Sequence, residues 1–238
     1  MGIKKIINKM FYPHTYSSAA YVTYLIKCGV KIGKGTWFVK PKNTTIDTQK
    51  GIFLEIGENC CITSGVVILA HDWSYSVVAQ VYNEAYEKQQ ITHIGNNVFI
   101  GNNAIILMGA QVGDNIIIGA GAVVSGKIES NSVYAGNPAK KICSLNEQYK
   151  KLKEGYEKSA LQYIERFQQI NGHTPNYIEM GGYASLFIEK NENNMQYYFG
   201  HSAIPNAIKN MPPKYDSVEE FIKHMKYTER CQCDYSKS

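Results

Sequence analysis

The sequence lacks the long apolar segment that a membrane-spanning helix needs, which is about 20 residues. It also lacks the continuous apolar stretch and the small-residue cleavage site of a secretory signal peptide. Its Lys and Arg residues are dispersed, so the net charge of +5 suits an anionic ligand such as a nucleotide rather than a nucleic acid. We therefore expect a cytoplasmic protein, and peripheral membrane contact is not indicated.

Cysteine is present at six positions, but not in the spacings of a zinc site or a disulfide framework. We interpret all six as reduced thiols: Cys28, Cys60, Cys61, Cys143, Cys231 and Cys233. The repeat described next contains only two histidines, His71 and His93, in an arrangement that does not suit a metal. We expect no bound metal.

A repeat of six residues dominates the stretch "IGNNVFIGNNAIILMGAQVGDNIIIGAGAVV", which covers residues 94–124. Neither a helix nor a simple strand requires a marked position every sixth residue. We expect one inward aliphatic side chain and one smaller inward side chain per hexad, with Gly or Asn at the turn. The marked positions are Ile94, Ile100, Ile106, Val112, Ile118 and Val124. Three hexads make one triangular coil, and stacked coils bury a continuous apolar column.

The hexads predict a β-helix over residues 30–143, preceded by a helical N-terminal segment, 1–29. The repeat breaks after Ile68, and we predict an inserted loop at 72–93, ejected from a corner of the coil. A milder irregularity covers "KPKNTTIDTQKGIFLE", residues 40–55. The fold class expected for the chain is mainly β.

A C-terminal α+β extension is predicted over residues 144–238. Apolar residues from Leu145 onwards follow helical spacing, so we expect an amphipathic helix that packs either on its own β-helix or on symmetry mates. Residues 176–201 alternate like two strands around a polar turn, and Ser217 with Glu220 forms a capping box.

The hexads, a loop that follows a histidine, and the closing motif "IGAGAVVSGKIESNSVYAGNPAKKI" resemble the hexapeptide-repeat acyltransferases. The resemblance covers roughly residues 30–143 and implies a left-handed parallel β-helix. Within that superfamily the chain is similar to the sugar, xenobiotic and capsular polysaccharide O-acetyltransferases. The resemblance further implies acetyl-CoA as donor, and a homotrimer with active sites between subunits.

His71 matches the position of the family's catalytic histidine, at the end of the apolar strand "VVILAHD". An imidazole titrates near neutral pH, so it can take the proton of an acceptor hydroxyl that attacks a thioester. Asp72 is a second catalytic candidate that would orient His71. However, adjacent residues of an extended segment point to opposite sides, so this contact is not the natural expectation.

Three further residues are candidates for acceptor binding. Trp73 and Tyr75 either form the floor of a sugar site, since aromatic faces suit the C–H faces of pyranose rings, or only anchor the loop. His93 ends the loop and either reaches the acceptor or has a structural role.

The coenzyme-binding candidates come from motif alignment with the family. Asn102 matches the position whose backbone amide lies near the acetyl carbonyl, where it would stabilise an oxyanion. Ala120 and Ser125 match further backbone contacts. Lys140 matches the basic position near the nucleotide phosphates, with Lys141 as its substitute.

The function that we expect is O-acetylation of a saccharide hydroxyl in a capsule, exopolysaccharide or O-antigen, with acetyl-CoA as donor. Two alternatives share this chemistry: a xenobiotic acetyltransferase of streptogramin or chloramphenicol type, and N-acetylation of a nucleotide-linked amino sugar. A trimeric β-helix scaffold without activity is the non-enzyme alternative. A repeat alone proves only a solenoid, so the chemistry of the site must decide among them.

Overall fold

A computed structural model of the chain describes residues 11–199 and 205–235. The described residues fall into two compact units, which are separated in sequence between Lys150 and Lys151. Within these residues, no helix combines the length and the apolar character needed to cross a bilayer.

The strands of the first unit are short, as a six-residue repeat requires. In chain order they are β1 (Lys31–Ile32), β2 (Trp37–Phe38), β3 (Thr45–Ile46), β4 (Leu54–Ile56), β5 (Cys61–Ile62), β6 (Val67–Ile68), β7 (His71–Asp72), β8 (Lys88–Gln89), β9 (Thr92–Ile94), β10 (Val98–Ile100), β11 (Ile105–Ile106), β12 (Gln111–Val112), β13 (Ile116–Ile118), β14 (Val123–Val124), β15 (Lys127–Ile128), β16 (Ser132–Ala135) and β17 (Lys140–Ser144).

Three parallel sheets form the faces of the coil. Face one has the strand order β1-β4-β9-β12-β15, face two β2-β5-β10-β13-β16, and face three β3-β6-β11-β14. β17 adds an antiparallel edge to face two. Ile100 pairs with Ile118, eighteen positions later, which is three hexads per coil. These sheets fit the predicted left-handed β-helix.

The inward positions of the hexads are buried as predicted. All six marked aliphatic side chains between Ile94 and Val124 are at most 1% exposed, as are the smaller inward residues Val98, Ala104, Ala110, Ile116 and Ala122. Asn97 and Asn115 take positive φ angles of 55° and 57° at successive turns, and the amide of Asn97 donates to Asn115 Oδ1 at 3.0 Å. The repeat therefore supplies both the core and the turns.

The N-terminal end of the coil is covered by helix α1 (Ser18–Lys27). Ser17 caps this helix by accepting a hydrogen bond from the Ala20 amide at 3.2 Å. Tyr21 and Leu25 are buried in the same core cluster as the β-helix. Helix α1 lies within the predicted N-terminal segment, whose residues 1–10 are outside the described part of the chain.

The inserted loop contains helix α2 (Tyr75–Tyr82) and a two-stranded antiparallel ribbon of β7 and β8. Its predicted end at residue 93 is too late. Thr92 and His93 already pair with β4 on face one, because the ladder resumes at β9.

The second unit corrects the prediction of an α+β extension. The long helix α3 (Leu145–Asn171) is confirmed, but the two strands predicted between residues 176 and 201 are wrong in the part that is described. That part forms a 3-10 helix (Gly181–Leu186) and helix α4 (Glu192–Phe199), followed by α5 (Pro205–Lys209) and α6 (Val218–Tyr235). About 38% of the chain is helical, so "mainly β" is not confirmed for the whole.

The strand prediction is wrong because of how the apolar residues of this segment pack. Met180, Ala184 and Phe187 recur every three or four positions and are buried in a core shared with Ile164 and Phe221. Packing into this core, rather than local alternation, decides the structure of the segment. The capping prediction for α6 is confirmed, since Ser217 Oγ accepts from the Glu220 amide at 3.1 Å.

Candidate active site

His71 lies where the chain leaves face three at a corner of the coil. The strand before it is anchored in the core by Ile68 and Ala70, which are both fully buried. Only 14% of the His71 side chain is exposed. The regular coil therefore holds the imidazole at a fixed place, while the residues after it belong to the inserted loop.

An acidic side chain that the sequence analysis did not select, Asp47, contacts the imidazole. Its Oδ2 atom lies within hydrogen-bonding distance of His71 Nδ1 and also accepts from the Ala70 amide at 3.0 Å. Its Oδ1 atom accepts from the Lys50 amide at 3.3 Å. Asp47 belongs to the milder irregularity, and it follows Ile46, which pairs with Ile68 on face three. Extending the hexad rule to Ile46 would have placed this residue beside Ile68, and Asp47 therefore close to His71.

This contact determines which nitrogen of His71 is available for chemistry. A carboxylate only accepts hydrogen bonds, so Nδ1 carries the proton and Nε2 is left with its lone pair. Nε2 is buried and has no hydrogen-bond partner among the described residues. A buried polar atom without a partner is rare in folded proteins and calls for an explanation, such as a bound group or a catalytic role.

His71 lines a pocket of about 290 Å³. Trp73 approaches the imidazole edge to face, with ring centroids 5.9 Å apart, and Tyr75 stacks on Trp73 at 5.8 Å. The structure thus brings both predicted aromatic residues to His71. The polar lining comes from both irregular segments: Gln49, Lys50, Asp72, Glu87, Lys88 and Gln89.

Asp72 does not contact the imidazole ring. Its two carboxylate oxygens accept from the backbone amide and the hydroxyl of Ser74, each at 2.8 Å. These bonds lower the pKa of the Asp72 carboxyl. The orienting contact considered for Asp72 is made instead by Asp47, in keeping with the alternation of successive side chains along a strand.

His93 is not among the residues that line this pocket. Its Nδ1 atom lies 3.4 Å from Glu55 Oε2 on face one, and Lys31 donates to Glu55 Oε1 at 2.6 Å. Lys31 first, and then His93, lower the pKa of the Glu55 carboxyl. In this unit His93 therefore belongs to a surface charge cluster.

The part of the chain that matches a known protein family lies in the first unit. Residues 91–126 match the family described as "Bacterial transferase hexapeptide (six repeats)". "Protein CapG" of Staphylococcus aureus is 36% identical over 145 residues, which are 61% of this chain and 78% of CapG. This chain belongs to the hexapeptide-repeat acyltransferase superfamily. Like the relatives whose names state an activity, it is an acetyltransferase.

Two proteins named as acetyltransferases match over shorter stretches. "Galactoside O-acetyltransferase" of Escherichia coli (strain K12) is 46% identical over 24% of this chain and 28% of the relative. "Chloramphenicol acetyltransferase" of Klebsiella aerogenes is 32% identical over 37% of this chain and 50% of the relative. The chain thus spans half or less of these two proteins.

The coenzyme positions suggested by the hexapeptide motif are all exposed on the first unit. Asn102 and Ala120 lie at the same turn of successive coils, because the Asn102 carbonyl accepts from the Gly121 amide at 2.8 Å. Ser125 follows β14, and Lys140 begins β17. Lys141 Nζ lies 3.4 Å from a carboxylate oxygen of Glu129.

Proposed function

We propose that this acetyltransferase moves an acetyl group from acetyl-CoA to a saccharide hydroxyl, with His71 as the general base. The observation that carries the proposal is the Asp47–His71 contact, together with the buried and unpartnered Nε2 atom beside an aromatic pocket. Nε2 is the atom that would accept the hydroxyl proton. Asp47 would keep the proton on Nδ1 and stabilise the imidazolium as it forms.

The reaction needs no other group to balance its protons. The acceptor O–H bond breaks as its proton moves to Nε2 of His71, and the oxygen forms a bond to the acetyl carbon. The carbon–sulfur bond then breaks, and the leaving thiolate takes the proton from the imidazolium. The backbone amide at Asn102 would donate to the oxyanion during this step.

The chemistry of the pocket favours a neutral saccharide as acceptor. Its charged side chains balance, since Lys50 and Lys88 are matched by Asp72 and Glu87. Amide, amine and carboxylate groups hydrogen-bond well to neighbouring sugar hydroxyls. The half-exposed face of Trp73 suits the C–H face of a sugar ring. Similarity to a galactoside O-acetyltransferase supports the same class.

The remaining parts of the proposal rest on family resemblance. Acetyl-CoA would lie along the backbone at Ala120 and Ser125, with Lys140 or Lys141 near its phosphates. The active form would be a homotrimer with sites between subunits. Reduced thiols and an acetyl-CoA donor favour the cytoplasm.

A second candidate is acetylation of a chloramphenicol-type antibiotic. The similarity to a chloramphenicol acetyltransferase favours it, and so does the aromatic pair of Trp73 and Tyr75, which would also stack on an aryl ring. The chemistry at His71 would be the same, and only the acceptor would differ.

The test is thiol release from acetyl-CoA by wild type, His71→Ala and His93→Ala. The acceptor panel contains oligosaccharides, nucleotide-linked amino sugars and chloramphenicol. We expect a loss of about 100-fold or more for His71→Ala, and a change of less than about threefold for the matched control His93→Ala. Equal losses in the two variants would refute the assignment of the base. The best acceptor decides between the saccharide and the antibiotic.

A further inference from the structure

The second unit contains a pocket of its own, with a volume of about 620 Å³. Helix α3, the 3-10 helix Gly181–Leu186 and the end of α5 surround it. The residues that line it are mostly apolar or aromatic: Leu152, Tyr156, Tyr163, Met180, Tyr183 and Ile208 are examples. This size and lining are those of a small-molecule site. Acetyl transfer at His71 gives it no role.

Two of the tyrosine hydroxyl groups of this pocket are already used within the protein. Tyr156 donates to the Gly182 carbonyl at 3.0 Å and contacts Ser185 Oγ at 2.8 Å. Tyr163 donates to the Glu179 carbonyl at 2.5 Å. The ring of Tyr183 lies 5.4 and 5.6 Å from those of Tyr156 and Tyr163. At Tyr156 and Tyr163 a ligand therefore meets ring carbons rather than free hydroxyl groups.

The lining also excludes two classes of ligand. It includes no Lys, Arg or His, so it offers no counter-ion to a phosphate or a carboxylate. Apart from those two tyrosines, its polar side chains are Ser159, Glu179, Tyr183 and Ser185, which are too few to pair with the many hydroxyls of a sugar ring. Methionine and leucine side chains adapt instead to a flexible apolar chain.

We propose that this pocket binds a linear aliphatic chain attached to a neutral head group. The chain belongs either to a free lipid or to a saccharide that bears a lipid. The proposal does not depend on acetyl transfer at His71, because every residue that carries it lies in the second unit.

The test is calorimetric titration of the protein with decyl maltoside below its critical micelle concentration, with decanol, and with maltose. Gly182→Phe fills the pocket: a Cβ added at Gly182 meets no atom within 4 Å. Gly155→Phe is the matched control, since Gly155 has equal space but does not line the pocket. Ser159→Phe, at an exposed lining position, serves if Gly182→Phe does not fold.

Wild type and Gly155→Phe are expected to bind both alkyl probes but not maltose, and Gly182→Phe to bind them at least about tenfold more weakly. Tighter binding of decyl maltoside than of decanol, which has the same chain length, assigns the chain to a glycolipid, and equal binding assigns it to a free lipid. Maltose binding as tight as that of the alkyl probes overturns the proposal. So does alkyl binding that Trp73→Ala abolishes and Gly182→Phe leaves intact.

Discussion

The regular coils of the β-helix and its two interruptions differ in what they bury. Between Ile94 and Val124 every inward position is aliphatic and at most 1% exposed. At the two interruptions, which are the irregularity 40–55 and the corner where the inserted loop leaves, an acid and an imidazole instead touch each other: Asp47 is buried, and 14% of the His71 side chain is exposed. Among the described residues, Asp47 is the only charged side chain in the buried class.

The difference indicates that the regular coils and the interruptions have different roles. A buried charge costs stability unless it is paired and hydrogen-bonded, as Asp47 is. The regular coils supply the rigid frame that holds Ile46 beside Ile68, and this register brings Asp47 to a residue twenty-four positions away. Under the proposed function, the catalytic residues lie where the period breaks, and the rigid frame lies where it does not.

The largest effect is expected from the regular region, and it should appear in stability. Ile118→Ala removes a fully buried side chain from the ladder and should lower the free energy of unfolding by about 2–5 kcal/mol. Ile91→Ala, at a site 51% exposed, should change it by less than about 0.5 kcal/mol. Urea denaturation measures both. Similar losses in the two variants would remove the contrast between the regions.

The next effect is expected from an interruption, and it should appear in catalysis. Asp47→Asn keeps the shape of the side chain and an oxygen for the Ala70 amide, but removes the charge beside His71. We expect kcat to fall about 10- to 100-fold, with the KM of the acceptor unchanged. Steady-state kinetics measures both constants. Asp72→Asn is the control, and a larger loss there would restore Asp72 as the orienting residue.

The parts of the fold that could be predicted are those in which each residue's neighbours follow from the repeat. Burial at Ile100 or Ala104 needs only the six-residue period. The Asp47–His71 contact depends on the register between coils of unequal length. Ile62 pairs with Ile100 thirty-eight positions later, whereas Ile100 pairs with Ile118 after eighteen. No local pattern contains that information.

The second unit could be predicted only in part, for a different reason. Its aromatic and β-branched residues between Tyr177 and Ile188 have high strand propensity, and their alternation resembles strands. Tertiary packing decided otherwise, because Phe187 joins a core with Ile164 and Phe221. The coenzyme positions remain predictions that come from motif alignment alone.

The smallest effect is expected where the two interruptions meet at the surface. Lys50 Nζ lies 3.3 Å from Glu87 Oε2, and both side chains are partly exposed, at 31% and 56%. Exposed ion pairs contribute only about 0.2–1 kcal/mol, so Lys50→Met and Glu87→Gln should each change kcat/KM by less than about fivefold. A double-mutant cycle of kcat/KM measures whether the two changes are coupled.

The control is the Lys31–Glu55 pair at 2.6 Å, which lies on a regular face outside the pocket. Coupling in the first pair alone would mean that the interruptions act together on the acceptor. Additive effects in both pairs would mean that Lys50 and Glu87 act on the acceptor independently. The contact between Asp47 and His71 would then be the only functional link between the two interruptions.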